Sequence, residues 1–171
     1  LESGLVKGTY TAQVSGKSGD SGVGLVEVYD ATASGAYRPT SPRLINLSAR
    51  ALVGSGSHAV IAGFVIGGST AKTVLIRASG PALAALGLAG TLADPKLDLF
   101  AGSVVIASNS GWAGNPQVAS ASAASGAFAW TDPMSADSAI LVTLEPGAYT
   151  AEVSGLSGGS GVALVEIYDL P

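Results

Sequence analysis

The chain has 171 residues, no cysteine, one histidine, 8 basic and 12 acidic side chains, and a formal net charge of -4. That length suits one domain with a real core, and 47% apolar content with only 12% charge excludes a disordered acidic tail. Scattered Lys and Arg on an acidic chain give no footprint for nucleic acid, and the lack of cysteine removes disulfides, thiolate zinc sites and thiol catalysis.

In chain order, the first element is residues 5–30, LVKGTYTAQVSGKSGDSGVGLVEVYD. It reads as strand, glycine loop, strand, and so predicts a β-hairpin over 1–30. Residues 31–42, ATASGAYRPTSP, read as a linker, because two prolines and small polar residues cannot pair as a central strand. From residue 43 to 171 short strand patterns follow one another. Over 44–53, Ile45, Leu47, Ala49, Ala51 and Val53 share one face at the period of a strand. Further strands are predicted at 58–66, 73–78, 97–100, 103–107 and 139–144. Short helical patterns at 81–86 and 116–124 lack a long apolar stripe.

The chain closes with 144–169, LEPGAYTAEVSGLSGGSGVALVEIYD, which matches 5–30 at a constant offset of 139, with 18 of 26 positions identical and no gap. In this copy Tyr149, Ala151 and Val153 alternate with Thr150, Glu152 and Ser154. The glycine-serine run over 154–161 breaks the pattern, and a β-rich run resumes to Asp169. Both copies are expected to be hairpins. About eight short strands with glycine-rich connections predict an all-β fold, a β-sandwich or jelly-roll-like module over 43–171, preceded by an extra N-terminal hairpin.

The strings RLINLSARALVGSG, AVIAGFVIGG, KTVLIRASGPALAALGLAGTLADPKLDLF, ASNSGW and the closing repeat resemble a repeat module of large secreted or surface proteins of Verrucomicrobia and related bacteria. The resemblance covers 43–169, and 5–30 resembles the end of a preceding copy. It implies an extracellular, repetitive, β-rich architectural protein and carries over no catalytic residue. The longest uncharged apolar stretch, 78–93, is interrupted by Gly80, Pro81, Gly87 and Gly90 and falls short of the ~20 residues of a spanning helix. No signal peptide is visible, and the start at Leu1 is expected of a mature or excised fragment.

Several strings imitate catalytic motifs. Gly19-Asp20-Ser21-Gly22 copies a protease nucleophile string, but the repeat reads Gly158-Gly159-Ser160-Gly161, so the shared property is a flexible turn. Gly155 to Gly159 satisfies G-x-S-x-G but enters a strand rather than a helix. Gly67 to Thr73 ends in Lys72-Thr73 like a phosphate loop, yet Ala71 replaces the glycine and a β pattern follows. His58 has no second histidine near it and reads as a turn residue rather than a ligand, and Asn46-Leu47-Ser48 is a glycosylation sequon inside a strand. Asp94, Asp98, Asp132 and Asp137 flank predicted loops that could offer oxygens to Ca²⁺, although no D-x-D-x-D-G string is present. No cofactor is expected.

Two readings of the remaining residues matter for function. Arg50, Arg77, Glu27 and Glu166 sit in apolar strands, where a charge must be paired, so Arg50 or Arg77 is expected to meet a carboxylate such as Glu166. Trp112 and Trp130, with Tyr37 and Tyr149, could line a sugar platform or plug the core. The leading expectation is a non-catalytic extracellular structural module that assembles head-to-tail with copies of itself into a filament or surface layer. The N-terminal segment would donate Tyr10, Ala12, Val14, Leu25, Val26, Val28 and Tyr29 to a neighbour. The alternative is a carbohydrate-binding or adhesive module with a polysaccharide partner. An exposed, coplanar Trp pair would mark it.

Overall fold

The computed structural model describes residues 4–38, 40–55 and 58–170. They form two compact units, Leu1–Leu44 and Ile45–Pro171. The second contains eight strands: β1 (Asn46–Val53), β2 (Val60–Ile66), β3 (Lys72–Ser79), β4 (Pro95–Ala101), β5 (Val104–Asn109), β6 (Ser138–Leu144), β7 (Gly147–Gly155) and β8 (Gly161–Asp169). Two helices interrupt them, α1 (Pro81–Ala85) and α2 (Pro116–Ser125). Each helix starts with proline, whose missing N–H costs nothing in the first turn. The Asn115 side chain caps α2 by accepting from the Gln117 and Val118 amides, and Gly126 ends it at φ 75°.

The strands form two antiparallel sheets, ordered β1-β8-β3-β6 and β2-β7-β4-β5. In that order every connection except β4–β5 carries the chain from one sheet to the other, which is a jelly roll. The β4–β5 hairpin turns at Gly102, whose φ of 60° suits the first central position of a two-residue turn. Between the sheets the core gathers Val74 and Ile76 of β3, Leu97 and Leu99 of β4, Ala151 and Val153 of β7, and Ala163, Val165 and Ile167 of β8. The alternation along each strand is what supplies these inward faces. A second apolar cluster lies on the outer face of the β1-β8-β3-β6 sheet, where α2 and its flanking loops bring Trp112 and Val118 over Leu75, Ala139 and Tyr168.

Two expectations are corrected here. β7 and β8 are not a hairpin. They pair with different partners, β7 with β2 and β4 and β8 with β1 and β3. Their glycine loop is an arch that crosses the sandwich, so Ala151 and Val153 face Ala163 and Val165 across the core instead of lying beside them. The N-terminal segment is not a paired hairpin either: among its described residues none belongs to a strand. Of the β1 face formed by Leu47, Ala49, Ala51 and Val53, only Val53 is buried; β1 lies at a sheet edge with β8 as its one neighbour.

Candidate functional site: a buried arginine and a duplicated arch

Arg77 stands in the middle of β3, directly opposite Glu166 of β8. It points to the outer face, where its side chain is completely buried. Nε lies 3.5 Å from Glu166 Oε2. The guanidinium lies 4.2 Å from the Trp130 ring centre and 4.6 Å from that of Phe128. Two aromatic faces therefore replace part of the lost hydration, as a cation–π contact does. Tyr168 donates its hydroxyl to Glu166 Oε1 at 2.7 Å, and the Trp130 indole donates to Ser79 Oγ at 3.1 Å.

Burial pushes Glu166 above the ordinary carboxylate range, with Arg77 and the Tyr168 hydrogen bond pulling the other way. Burial likewise lowers Arg77, opposed by the Glu166 charge. Tyr168 is raised by burial and by the carboxylate it serves. With no exposed surface, Arg77 cannot meet a substrate. What it does is tie β3 to β8 and to the segment carrying Phe128 and Trp130. A second pair does the same at the strand end, where Lys72 of β3 lies 3.1 Å from Asp169 of β8.

Beside this cluster a buried carboxylate organises backbone. Asp137 accepts from the Gly80 amide at 2.7 Å and from the Ala82 amide, which holds the start of α1. Ser135 donates to its other oxygen at 2.7 Å. The segment after α1 then locks the arch: Leu92 N donates to Val162 O, Val162 N to Gly90 O, and Leu156 N to Asp94 O. The approach is so close that a Cβ at Gly161 would stand 2.5 Å from Leu92 N. Only glycine fits there.

The remaining sequence-derived candidates are scattered. Arg50 lies on the exposed outer side of the edge strand β1, opposite Leu164, and Glu166 is taken by Arg77 instead. The four aspartates do not converge. Asp98 takes Lys96 and Ser108 at 2.5 Å each, Asp132 accepts the Met134 amide, Asp137 serves α1, and Asp94 offers its carbonyl to the arch. Among the described residues no group of three or more His, Asp and Glu could hold a metal ion. Burial opposes ionisation of Asp98, but hydrogen bonds from Lys96 and Ser108 and the Lys96 charge outweigh it and hold the carboxyl below its ordinary value.

Trp112 and Trp130 are not an exposed coplanar pair. Trp112 is buried, its indole donating to Asp132 O and Ser135 Oγ, and it meets Trp130 edge-to-face at 66°. The ring pair is a core plug, because a tryptophan in a chain rich in Ala and Ser is the largest apolar surface available to seal the outer cluster. Asn46 opens β1 and donates to Ile167 O at 3.4 Å, and His58 Nδ1 lies 3.0 Å from Ser55 O. Lys72 and Thr73 belong to β3, so no helix follows Gly67-Gly68 to hold phosphate. The open groove between α2 and β6, lined by Gln117, Ser120, Ala121 and Leu141 among others, carries no charged side chain.

The N-terminal copy keeps the arch's local geometry without its partners. Tyr10 donates to Val6 O at 2.8 Å as Tyr149 does to Glu145 O at 2.8 Å. Tyr29 donates to Glu27 Oε1 at 2.8 Å, as Tyr168 does to Glu166. Gly19 and Gly158 share a φ of 78°. Yet Tyr10, Val14, Leu25, Val26, Val28 and Tyr29 are all exposed, and so is Ala12. Sequence reasoning missed that the C-terminal copy of this segment spans two sheets. The signal was present in the single offset of 139 and became readable once β7 and β8 were seen in different sheets.

Among the described residues no helix is long and apolar enough to cross a membrane. No family model matches the sequence, and no curated protein matches it. Among solved structures the chain is similar to the pre-peptidase C-terminal domain of a collagenase from Bacillus anthracis, at 13% identity and a TM-score of 0.44, over 72% of this chain and 89% of that one.

Proposed function

We propose that the chain is a non-catalytic structural module of an extracellular or cell-surface protein, and that it assembles head-to-tail with copies of itself into a filament or layer. The N-terminal arch, which among its described residues has no strand within its own unit, carries this reading. Its apolar residues are exposed, whereas their counterparts Val153, Val165, Ile167 and Tyr168 are buried. Strands without neighbours are marginal in water and present an unpaired backbone edge. A contact between one molecule's arch and another's sandwich is heterologous, and such contacts propagate unless they close into a ring. The non-catalytic character is supported by the commitment of Arg77, Glu166, Asp98 and Asp137 to partners within the fold. Resemblance of the sequence to secreted repeat modules supports the extracellular placement.

Light scattering and negative-stain microscopy of the full chain at micromolar concentration, beside a chain beginning at Ala31, test the proposal. Oligomers or filaments are expected from the full chain and monomers from the shortened one. Monomers in both overturn it.

A further inference from the structure

The eight differences between the two arches fall unevenly. The buried positions of the resident arch are Leu144, Ala151, Val153, Gly161, Ala163, Val165, Glu166, Ile167 and Tyr168. All are repeated identically at 5–30 except two, which become smaller: Gly24 for Ala163 and Val28 for Ile167. A smaller residue still fits the same hole. The glycine that the lock demands is kept as well. Gly161 has Leu92 N at 2.5 Å from where a Cβ would be, but a Cβ at its counterpart Gly22 would meet nothing within 4 Å. Gly22 thus has no steric reason within its own unit, and gains one only against a 91–92 segment. The carboxylates follow suit. Glu27, already oriented by Tyr29, is exposed, and its counterpart pairs with a buried arginine on β3. Asp30 occupies the position whose counterpart pairs with Lys72.

We infer that residues 5–30 are a second closing arch, made to complete the β1–β6 body of another copy of this module in the place held there by residues 144–169. Glu27 would meet Arg77, Asp30 would meet Lys72, and Gly22 would lie under Leu92. Backbone pairing with β1 and β3 on one sheet and with β2 and β4 on the other supplies adhesion, as in strand complementation generally. The buried Arg–Glu pair sets the register, since a one-residue slip would leave Arg77 facing an apolar residue. One body admits one arch. The N-terminal arch therefore joins another copy by taking the place of that copy's own arch. This inference rests on the structural reading above and names the surface through which copies join.

The test mixes two full-length chains. The acceptor carries Gly22→Leu and Gly161→Leu, which blocks both of its arches, together with Ala51→Cys. The donor is otherwise wild type with Gly24→Cys. Ala51 pairs with Ala163 across β1 and β8, and Gly24 is the counterpart of Ala163, so docking brings the two thiols together. The natural chain has no cysteine to confuse the product.

The acceptor alone is expected to stay unfolded. Co-refolding with the donor should restore its β-sheet signal and give a disulfide-linked heterodimer. Adding Gly22→Leu to the donor should abolish both, and adding Glu27→Gln should lower the yield about tenfold or more. An acceptor that folds alone, one that stays unfolded with the donor, or a heterodimer indifferent to Gly22→Leu would each overturn the inference. Oligomers of the wild-type chain alongside failed complementation would spare the structural reading and remove only this mode of joining. Complementation by a monomeric wild-type chain would do the reverse.

Discussion

Residues 5–30 and 144–169 share most of their sequence and meet opposite fates. The C-terminal copy is two nine-residue strands, β7 and β8, buried on their inner faces. The N-terminal copy repeats the turns, the tyrosine hydrogen bonds and the glycine at φ 78°, yet has no strand and exposes its apolar side chains. Turns are local, made by glycine and by side chains a few residues away. A strand is not. It exists through hydrogen bonds to neighbours, which β1, β3, β2 and β4 supply to one copy only.

Matched substitutions sharpen that contrast. The largest effect is expected at the buried pair. Glu166→Ala leaves the Arg77 charge uncompensated and should cost about 3–5 kcal/mol. Glu27→Ala, in the exposed copy, should change unfolding of the sandwich by less than about 0.5 kcal/mol. Replacing Arg77 and Glu166 together by Met and Leu should recover most of the loss, because two apolar groups need no partner. Urea unfolding of the three variants beside the wild type reads all of this, and a Glu27→Ala cost equal to that of Glu166→Ala would erase the distinction between the copies.

Next comes the lock. Gly161→Leu drives a side chain into the Leu92 backbone and should cost about 3 kcal/mol or more, and with the N-terminal arch blocked by Gly22→Leu as well it should leave the sandwich unfolded. Gly22→Leu should leave the thermal midpoint of the sandwich where it was. In the core, Val153→Ala should cost about 2 kcal/mol and Val14→Ala under about 0.5 kcal/mol, again by urea unfolding.

The smallest effect concerns Asp98, which faces arch position Glu152 on β7. Its folded pKa lies below the ordinary 3.8. The unfolded chain therefore takes up the proton first, so Asp98 stabilises the fold above that value and the contribution fades as pH falls through the lowered one. Wild-type urea midpoints should drop between about pH 5 and about pH 3 by more than those of Asp98→Asn. Equal drops would mean that the Lys96 and Ser108 contacts do not depress the carboxyl.

Much of the fold was legible from the chain. Alternating residues marked the strands to within a few positions, and Pro81 and Pro116 marked where the helices begin. The pairing of Arg77 with Glu166 was legible for the same reason it exists, since an ion in an apolar strand has to be neutralised. Arg50 shows the limit of that rule. It shares the setting of an apolar strand, but β1 is an edge strand and that side faces solvent. Trp112 had two open readings, core plug or exposed platform, and nothing in its glycine-rich neighbourhood chose between them.

The sequence by itself determined the all-β class, the duplication, the turns and the need to pair the buried charge, because each rests on residues close together or on a cost intrinsic to one side chain. The tertiary structure alone decided that the glycine loop is an arch and not a hairpin. It also decided that β1 stays at an edge, and that one copy of the arch is folded into sheets while the other is not. Those outcomes depend on which strands become neighbours, and a strand's own residues carry its pattern but not the identity of its partners.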